Sequence, residues 1–508
     1  MPSPTLAIAS SSDLATQAGG VIAKSGGNAV DAAVAAGLVT LITEPGVVAL
    51  GGGGYITLQT PNEDPVTLDG YMAVPGLGNG RVCAPDSMRS VTMEYGGGVT
   101  TLVGHASVCT PGALKALERA VGDYGNLNWS DVVQPAVDIA KNGFPLSQAC
   151  HNYLVYSHDS VFGVCPASAK ALHDNNGRLL NVGDTVFVEN LADSLELIAS
   201  QGSSAFYTGA IANLIIDDMR VNNGSLDAKD LSDYQVILRP ALTFDRMGWT
   251  IATNPPPAVG GATLAALLLA IEPEGHQGWD SVMVKQMLQA QEYVLGFRRE
   301  HLDRASDIKT AIDQLLANAA NMGKPGSPST VHTSAVDNNG YACAITMSAG
   351  YGSGVIAKET GIWLNNTLGE LELNRKAANS LQSGERMMSN MAPTVATHEN
   401  GTILSIGSPG ADRITTALAH TLVGYLGLGL DLTTAVHQPR LHLEWYQDKP
   451  RFAYEPGLEV TTNSHPTRPT RELSMYFGGV GAVSYDRETG FVASKDPRRA
   501  GSAIVVAT

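Results

Sequence analysis

The sequence predicts an α+β chain, on three observations. Helix-period and strand-period segments alternate along all 508 residues. A strong hairpin signal stands past the middle: Thr330-Val331-His332-Thr333-Ser334-Ala335-Val336-Asp337 runs into Asn338-Asn339-Gly340 and returns as Tyr341-Ala342-Cys343-Ala344-Ile345-Thr346-Met347-Ser348. Asn and Gly tolerate the positive φ that such a turn needs. A turn centred on Asn338-Asn339 sets Thr330 opposite the Met347-Ser348 end. Third, no linker, internal repeat or low-complexity tract divides the chain, although its length would allow two or three domains.

Taken in order, a helix is expected over 13–23 with Asp13 as its N-cap. Asn28 caps a second over 29–42, apolar nearly all round and so buried. It is too short and alanine-rich to span a membrane. Gly51 to Gly54 feed a strand over 55–59. No Lys-Ser/Thr follows them and the next element is a strand, so close backbone packing is expected there rather than a phosphate loop. Val66-Thr67-Leu68-Asp69-Gly70 is the next strand, followed by Tyr71. Helices are expected over 113–121 and 130–141, the latter with Ser130 as N-cap and Lys141 near its negative end. One more opens at Phe206 and runs to about Arg220. Two strands are expected within 237–251. Helices over 262–271 and 281–304 follow, and the charged run Arg298-Arg299-Glu300-His301 reads as a solvated face. After the hairpin come a glycine-rich turn over 350–354 and a polar run to Ser383 that reads as a lid. Gly407-Ser408-Pro409-Gly410-Ala411 then precedes a helix over 414–426, at a turn whose N–H groups suit an anion. Strands over 481–486 and 490–494 come last.

Composition excludes several function classes. A net charge of -16 argues against nucleic acid or an anionic membrane as partner. With 44% hydrophobic and 16% charged residues, the chain can bury a large core. Cys83, Cys109, Cys150, Cys165 and Cys343 show no C-x-x-C spacing, and five scattered cysteines form neither a disulfide framework nor a zinc site. The His and Cys residues of 151–170 are read as packing. The start, Met1-Pro2-Ser3-Pro4-Thr5, has no positive n-region and no apolar h-region, so a cytoplasmic location is expected unless an export signal has been removed. G-x-S-x-G and a strand-borne G-x-G-x-x-G are both missing, against a serine hydrolase of that type or a dinucleotide-binding oxidoreductase.

Several motifs, in one order along nearly the whole chain, carry a resemblance. They are Gly26-Gly27-Asn28-Ala29-Val30-Asp31-Ala32-Ala33, Gly51-Gly52-Gly53-Gly54-Tyr55, Pro255-Pro256-Pro257, Thr330-x-His332-x-Ser334-x-Val336-Asp337, Leu364-Asn365-Asn366, Met391-Ala392-Pro393-Thr394 and Gly407-Ser408-Pro409-Gly410. Together they resemble the γ-glutamyltranspeptidases, which are N-terminal-nucleophile hydrolases. The resemblance implies a four-layer αββα sandwich. It implies self-cleavage before Thr330 into segments 1–329 and 330–508 that stay associated as one structural domain. Thr330 is then nucleophile and new N-terminus, its α-amine the base. Ser348 would orient the Thr330 hydroxyl, and the Gly410 and Ala411 N–H groups would hold the oxyanion. Tyr71, Asn366, Thr367, Glu370, Ser389 and Asn390 fall at substrate-binding positions. The substrate is a small-molecule amide, and neither a cofactor nor a metal is called for.

The sequence departs from the family pattern in four places. Tyr71 stands where transpeptidases carry an Arg for the substrate's α-carboxylate. Thr367 replaces an acidic residue, leaving Glu370 for the α-ammonium. The loop at Gly350 is shorter and lacks an Asn, and Asn390 replaces the second Ser of a pair. Two readings of the substrate follow. One is a γ-glutamyl compound such as glutathione, hydrolysed or transferred to an amine. The other is a different acyl amide, as in oxamate amidohydrolases and cephalosporin acylases. A binding protein without activity is the remaining alternative, and the retained Thr330, Ser348 and Gly410 weigh against it.

Overall fold

The hairpin expected from the sequence forms the centre of a seven-stranded sheet. In the computed structural model, residues 4–82, 85–94, 98–305, 307–319, 330–371, 373 and 381–507 are described. Strands Val331–Asp337 and Ala342–Ser348 pair antiparallel, with Val331 opposite Met347 and Val336 opposite Ala342. Asp337 fixes the turn: its Oδ1 accepts the N–H groups of Asn339 and Tyr341, while Oδ2 accepts the N–H of Ala29. The sheet order is Ser502–Ala507, Pro4–Ser10, Val331–Asp337, Ala342–Ser348, Gly53–Gln59, Val66–Gly70, Ile237–Pro240. A second sheet of six strands runs Gly490–Lys495, Gly481–Asp486, Ile403–Gly407, Thr394–His398, Trp249–Thr253, Leu242–Arg246.

Side-chain alternation stacks these sheets into four layers. Leu6, Ile8, Ala335, Cys343 and Ile345 face one way and meet helices Asp13–Lys24, Ala29–Thr43 and Ala113–Tyr124. The alternate residues Ala7, Ala9, Val336, Ala342 and Ala344 face the other way and meet Ala252, Val395, Ile403 and Val483 of the second sheet. Small residues let the two sheets approach closely. The outer face of the second sheet packs on helices Gly260–Leu269, Ser281–Glu300, Ile308–Ala319 and Arg413–Leu422. The result is the αββα sandwich implied by the resemblance. Among the described residues, no helix is long and apolar enough to cross a membrane.

Several expectations are refined. Asn28 caps its helix, as expected, and the structure adds a reciprocal box with Asp31. The N-cap positions assigned to Asp13 and Ser130 fall instead at Ser12 and Asn128, one and two residues earlier. The helix expected from Phe206 is broken at Gly209 into Ser204–Tyr207 and Ala210–Val221. The region 237–251 is three strands rather than two, because the chain crosses from one sheet to the other between Pro240 and Leu242. Arg298, read as part of a solvated face, is 1% exposed. Its Nε donates to Asp303 at 3.0 Å, and Asp412 lies 3.8 Å from its Nη1. A buried guanidinium needs such partners.

The glycine run is explained by close approach. A Cβ on Gly52 would stand 2.3 Å from the Ser348 carbonyl oxygen, and one on Gly54 2.1 Å from that of Thr346.

Candidate active site

Four neighbouring strands end at one rim of the seven-stranded sheet. Thr330 precedes Val331, the partner of Met347, so it stands opposite Ser348, as the turn position predicted. Ser348 pairs with Gly53, and Gly54 with Gly70, which Tyr71 follows. Thr330, Ser348, Gly53 and Tyr71 thus line the rim in order. Their backbones span three strand spacings, about 14 Å. Thr330 is 2% exposed. Ser348 Oγ accepts the Gly350 N–H at 2.9 Å, which fixes the start of the glycine-rich turn. Ser329 and most of the expected lid, residues 372 and 374–380, lie outside the described residues.

His332 is the imidazole nearest Thr330 in sequence and, two residues along the strand, belongs to the same face, but both its ring nitrogens are engaged within its own sheet. Its Nδ1 pairs with Thr346 Oγ1 at 2.8 Å and its Nε2 with Ser334 Oγ at 2.7 Å. A Cβ on Gly407 would stand 2.2 Å from this ring, so Gly407 is the residue that leaves it room. Burial pushes the His332 pKa down to about 3, and the ring is neutral at ordinary pH. The ring packs against Gly407 of the second sheet, and with both nitrogens engaged it is not placed to act as a base.

The turn at Gly407 leads from a strand of the second sheet into helix Arg413–Leu422. Gly410 and Ala411 both have positive φ, +118° and +71°. An alanine in the left-handed region is uncommon and marks a constrained turn. Among the described residues, neither the Gly410 nor the Ala411 N–H has an acceptor. Their carbonyls accept the N–H groups of Arg413 and Ile414 at 3.1 and 3.2 Å. Pro409 lines a cavity of about 40 Å³ together with Val331 and His332. The turn therefore lies against the first residues of strand Val331–Asp337.

Tyr71 forms the wall at the other end of the rim. Its ring stacks on Tyr55 with centroids 5.4 Å apart, in a cluster with Met72, Val74, Met387 and Met391. Burial drives its pKa well above the ordinary phenol value, and the nearby Glu370 carboxylate adds to the effect, against a hydrogen bond with Ser389. Glu370 is 2% exposed and sits against Gly350, where a Cβ would be 2.9 Å from its carboxyl carbon. The Thr367 N–H is held by Asn365 Oδ1 at 3.1 Å. Asn366 is bound into the scaffold. Its Oδ1 accepts the Tyr351 N–H at 2.8 Å, and its Nδ2 donates to Thr101 Oγ1 and the Leu102 carbonyl. Asn390 donates from Nδ2 to Asp412 Oδ1 at 3.1 Å, which joins this wall to the Gly410–Ala411 turn.

Two arginines at this corner had no signal in the sequence. Asp69, fully buried on strand Val66–Gly70, binds Arg239 through Oδ2 at 2.8 Å and Arg386 through Oδ1 at 3.1 Å. Its Oδ1 also accepts the Tyr71 N–H at 3.2 Å. Arg386 lies over the Tyr234 ring at 4.5 Å, and the Tyr234 hydroxyl donates to the Tyr71 carbonyl. Both guanidiniums are thus committed to Asp69. Away from the site, His158 Nδ1 and His173 Nε2 pair at 3.0 Å with Asp159 beside them, a grouping not foreseen where His158 was read as packing.

A four-layer sandwich with a hydroxyl residue heading a central strand is the architecture of the N-terminal-nucleophile hydrolases. The family model described as Gamma-glutamyltranspeptidase matches residues 15–506. The glutathione hydrolase proenzyme of Escherichia coli (strain K12) is 31% identical over 500 residues, covering 90% of this chain and 83% of that one. The Acylase ACY 1 proenzyme of Pseudomonas sp. (strain V22) is 28% identical over 460 residues, covering 85% and 81%. Among solved structures, a cephalosporin acylase from Bacillus halodurans shares the fold with a TM-score of 0.78 at 22% identity, over 99% of this chain and 96% of that one. The chain belongs to the gamma-glutamyltranspeptidase family and is an enzyme of its amidohydrolase type.

Proposed function

We propose that the protein is a self-processing amidase with Thr330 as nucleophile. The observation that carries this is the register that sets Thr330 opposite Ser348 at the head of a central strand. Cleavage between Ser329 and Thr330 would divide the chain into 1–329 and 330–508 and free the Thr330 α-amine. That amine, with a pKa of about 8, takes the proton from Oγ1 as the oxygen attacks the substrate carbonyl. The neutral His332, with both ring nitrogens engaged by Thr346 and Ser334, supports this choice of base. Ser348 orients the hydroxyl. The Gly410 and Ala411 N–H groups receive the oxyanion, each worth about 3–4 kcal/mol in the transition state. The amide C–N bond breaks, the amine leaves with the proton, and the acyl group stays on Thr330 as an ester until water or a second amine removes it.

For the acyl group, an amide without a free α-amino-acid head is favoured over a γ-glutamyl compound. A carboxylate is bound best by an uncommitted guanidinium fork. Here the equivalent position is Tyr71, in an apolar cluster, and the two arginines nearby are paired with Asp69. Glu370 remains as a partner for a cationic or N–H-bearing group.

Mass spectrometry of purified protein tests the processing step. Two chains divided before Thr330 are expected, and a single inactive chain for Thr330→Ala. A Thr330→Ala protein that still splits at this point would remove Thr330 from the mechanism. A panel of acyl amides scored by product mass, with a γ-glutamyl anilide beside oxamate and simple acyl amides, tests the substrate class.

A further inference from the structure

Asn390 connects the tyrosine wall to the Gly410–Ala411 turn, and the structure fixes which way its amide points. Asp412 Oδ1 lies 3.1 Å from one end of that amide. A carboxylate can only accept, so the end facing it is the NH2 group. Arg298 reinforces this. It is buried, 3.8 Å from the same Asp412 oxygen, and held in place by Asp303. It supplies the positive charge that a 6% exposed carboxylate needs to stay ionised. The other end of the amide, Oδ1, is therefore forced to the opposite side. It is buried and has no hydrogen-bond partner among the described residues, although Asn390 is only 3% exposed.

A buried acceptor without a donor is costly. Its position indicates what supplies the donor. Ser389, the preceding residue, lies beside the Tyr71 phenol, and Asp412 directly follows the Gly410–Ala411 turn. Asn390 thus stands between the two sides of the proposed acyl site. We propose that Arg298 and Asp412 are positioning residues that lock Asn390 with Oδ1 toward the substrate, so that the acyl group must bring an N–H donor to this point, such as a carboxamide, and not a carboxylate. With the Glu370 carboxylate also in this wall, the head-group site is rich in acceptors. The inference rests on the amidase reading and specifies its substrate class.

The test uses three sets of 4-nitroanilides that differ only at the far end of the acyl chain. One end is a carboxamide, one the isosteric methyl ketone, one a carboxylate, each with one to three methylenes. For the wild-type enzyme the carboxamide should exceed the carboxylate in kcat/KM by roughly ten- to a hundredfold, and the ketone by about tenfold, at the best chain length. Asp412→Asn offers Asn390 both a donor and an acceptor and frees its amide to turn. The carboxamide preference should then shrink to about threefold or less, mainly through KM. A general disturbance of the turn would lower all three substrates alike and leave the ratio intact. Arg298→Met should move the ratio in the same direction, and the wild-type comparison needs no variant. A wild-type enzyme that treats the three alike or prefers the carboxylate would overturn the proposal, as would an Asp412→Asn enzyme with the wild-type ratio. Failure of the underlying amidase reading would look different: no amide of any kind turned over and no acyl group trapped on Thr330.

Discussion

Glu44→Gln should stabilise the protein, and only at neutral to alkaline pH. Glu44 follows helix Ala29–Thr43 as its C-cap, where a negative charge meets the negative end of the helix dipole. It is 3% exposed. Burial raises its pKa from the ordinary 4.5 to about 7, only partly offset by the Cys150 thiol, the Arg499 charge and the Ser147 hydroxyl. The folded state therefore keeps a proton that the unfolded chain has lost above its own pKa of 4.5. Between pH 4.5 and 7 the folded state binds more protons, so stability falls as pH rises through that window and stays lower above it. At about 1.4 kcal/mol per unit, the full penalty is about 3 kcal/mol. Glutamine keeps an acceptor for Cys150 and Ser147 and carries no charge at any pH. Urea unfolding of both proteins, in the same processing state, should give matching midpoints near pH 4.5. By pH 8 the variant should be more stable by about 3 kcal/mol. A difference that does not change with pH would refute the reasoning and reduce the substitution to a packing effect.

Other expectations follow from named contacts. Tyr71→Arg places a guanidinium beside Glu370 and removes the stack on Tyr55; the ratio of kcat/KM for a γ-glutamyl anilide to that for a simple acyl anilide should rise about tenfold, with some loss of thermal stability. Asp69→Asn leaves Arg239 and Arg386 without their shared counter-charge and should cost about 3–5 kcal/mol in urea unfolding, with weaker activity because the Tyr71 segment loses its anchor. Gly407→Ala drives a methyl into the His332 ring and should cost about 1–3 kcal/mol and slow processing, whereas Gly122→Ala, in open space on helix Ala113–Tyr124, should stabilise by up to about 1 kcal/mol.

What could be read in advance was what local chemistry determines. The register of the central hairpin follows from Asn338-Asn339-Gly340, whose Gly340 adopts φ +97°. The Asn28 cap and the crowded Gly51–Gly54 run are likewise written in a few adjacent residues. What could not be read depends on partners far along the chain. Arg298 belongs to a charged run, and nothing local distinguishes it from a solvated residue. Its burial is decided by Asp412 on another helix's approach. The joining of Arg239 and Arg386 at Asp69 brings together three segments with no shared motif. The sheet change between Pro240 and Leu242 was missed because each strand there has ordinary strand character and only their neighbours differ. At the site, the rim position of Thr330 and Ser348 was legible. The orientation of the Asn390 amide was not, because it is imposed by Asp412.

The strand order has a consequence for the life history of the molecule. Pro4–Ser10 lies between Ser502–Ala507 and Val331–Asp337, while Ala342–Ser348 adjoins Gly53–Gln59 and Thr394–His398 adjoins Trp249–Thr253. A backbone severed before Thr330 would leave two polypeptides sewn together by ladders of main-chain hydrogen bonds, with neither owning a complete sheet. Before such a cut, folding is a first-order event that one chain completes alone. After it, the same native state becomes a heterodimer whose reassembly is second order and weakened by dilution. The intact precursor would be the only form that folds independently of its concentration, and the active form would persist through slow unfolding rather than through ready refolding.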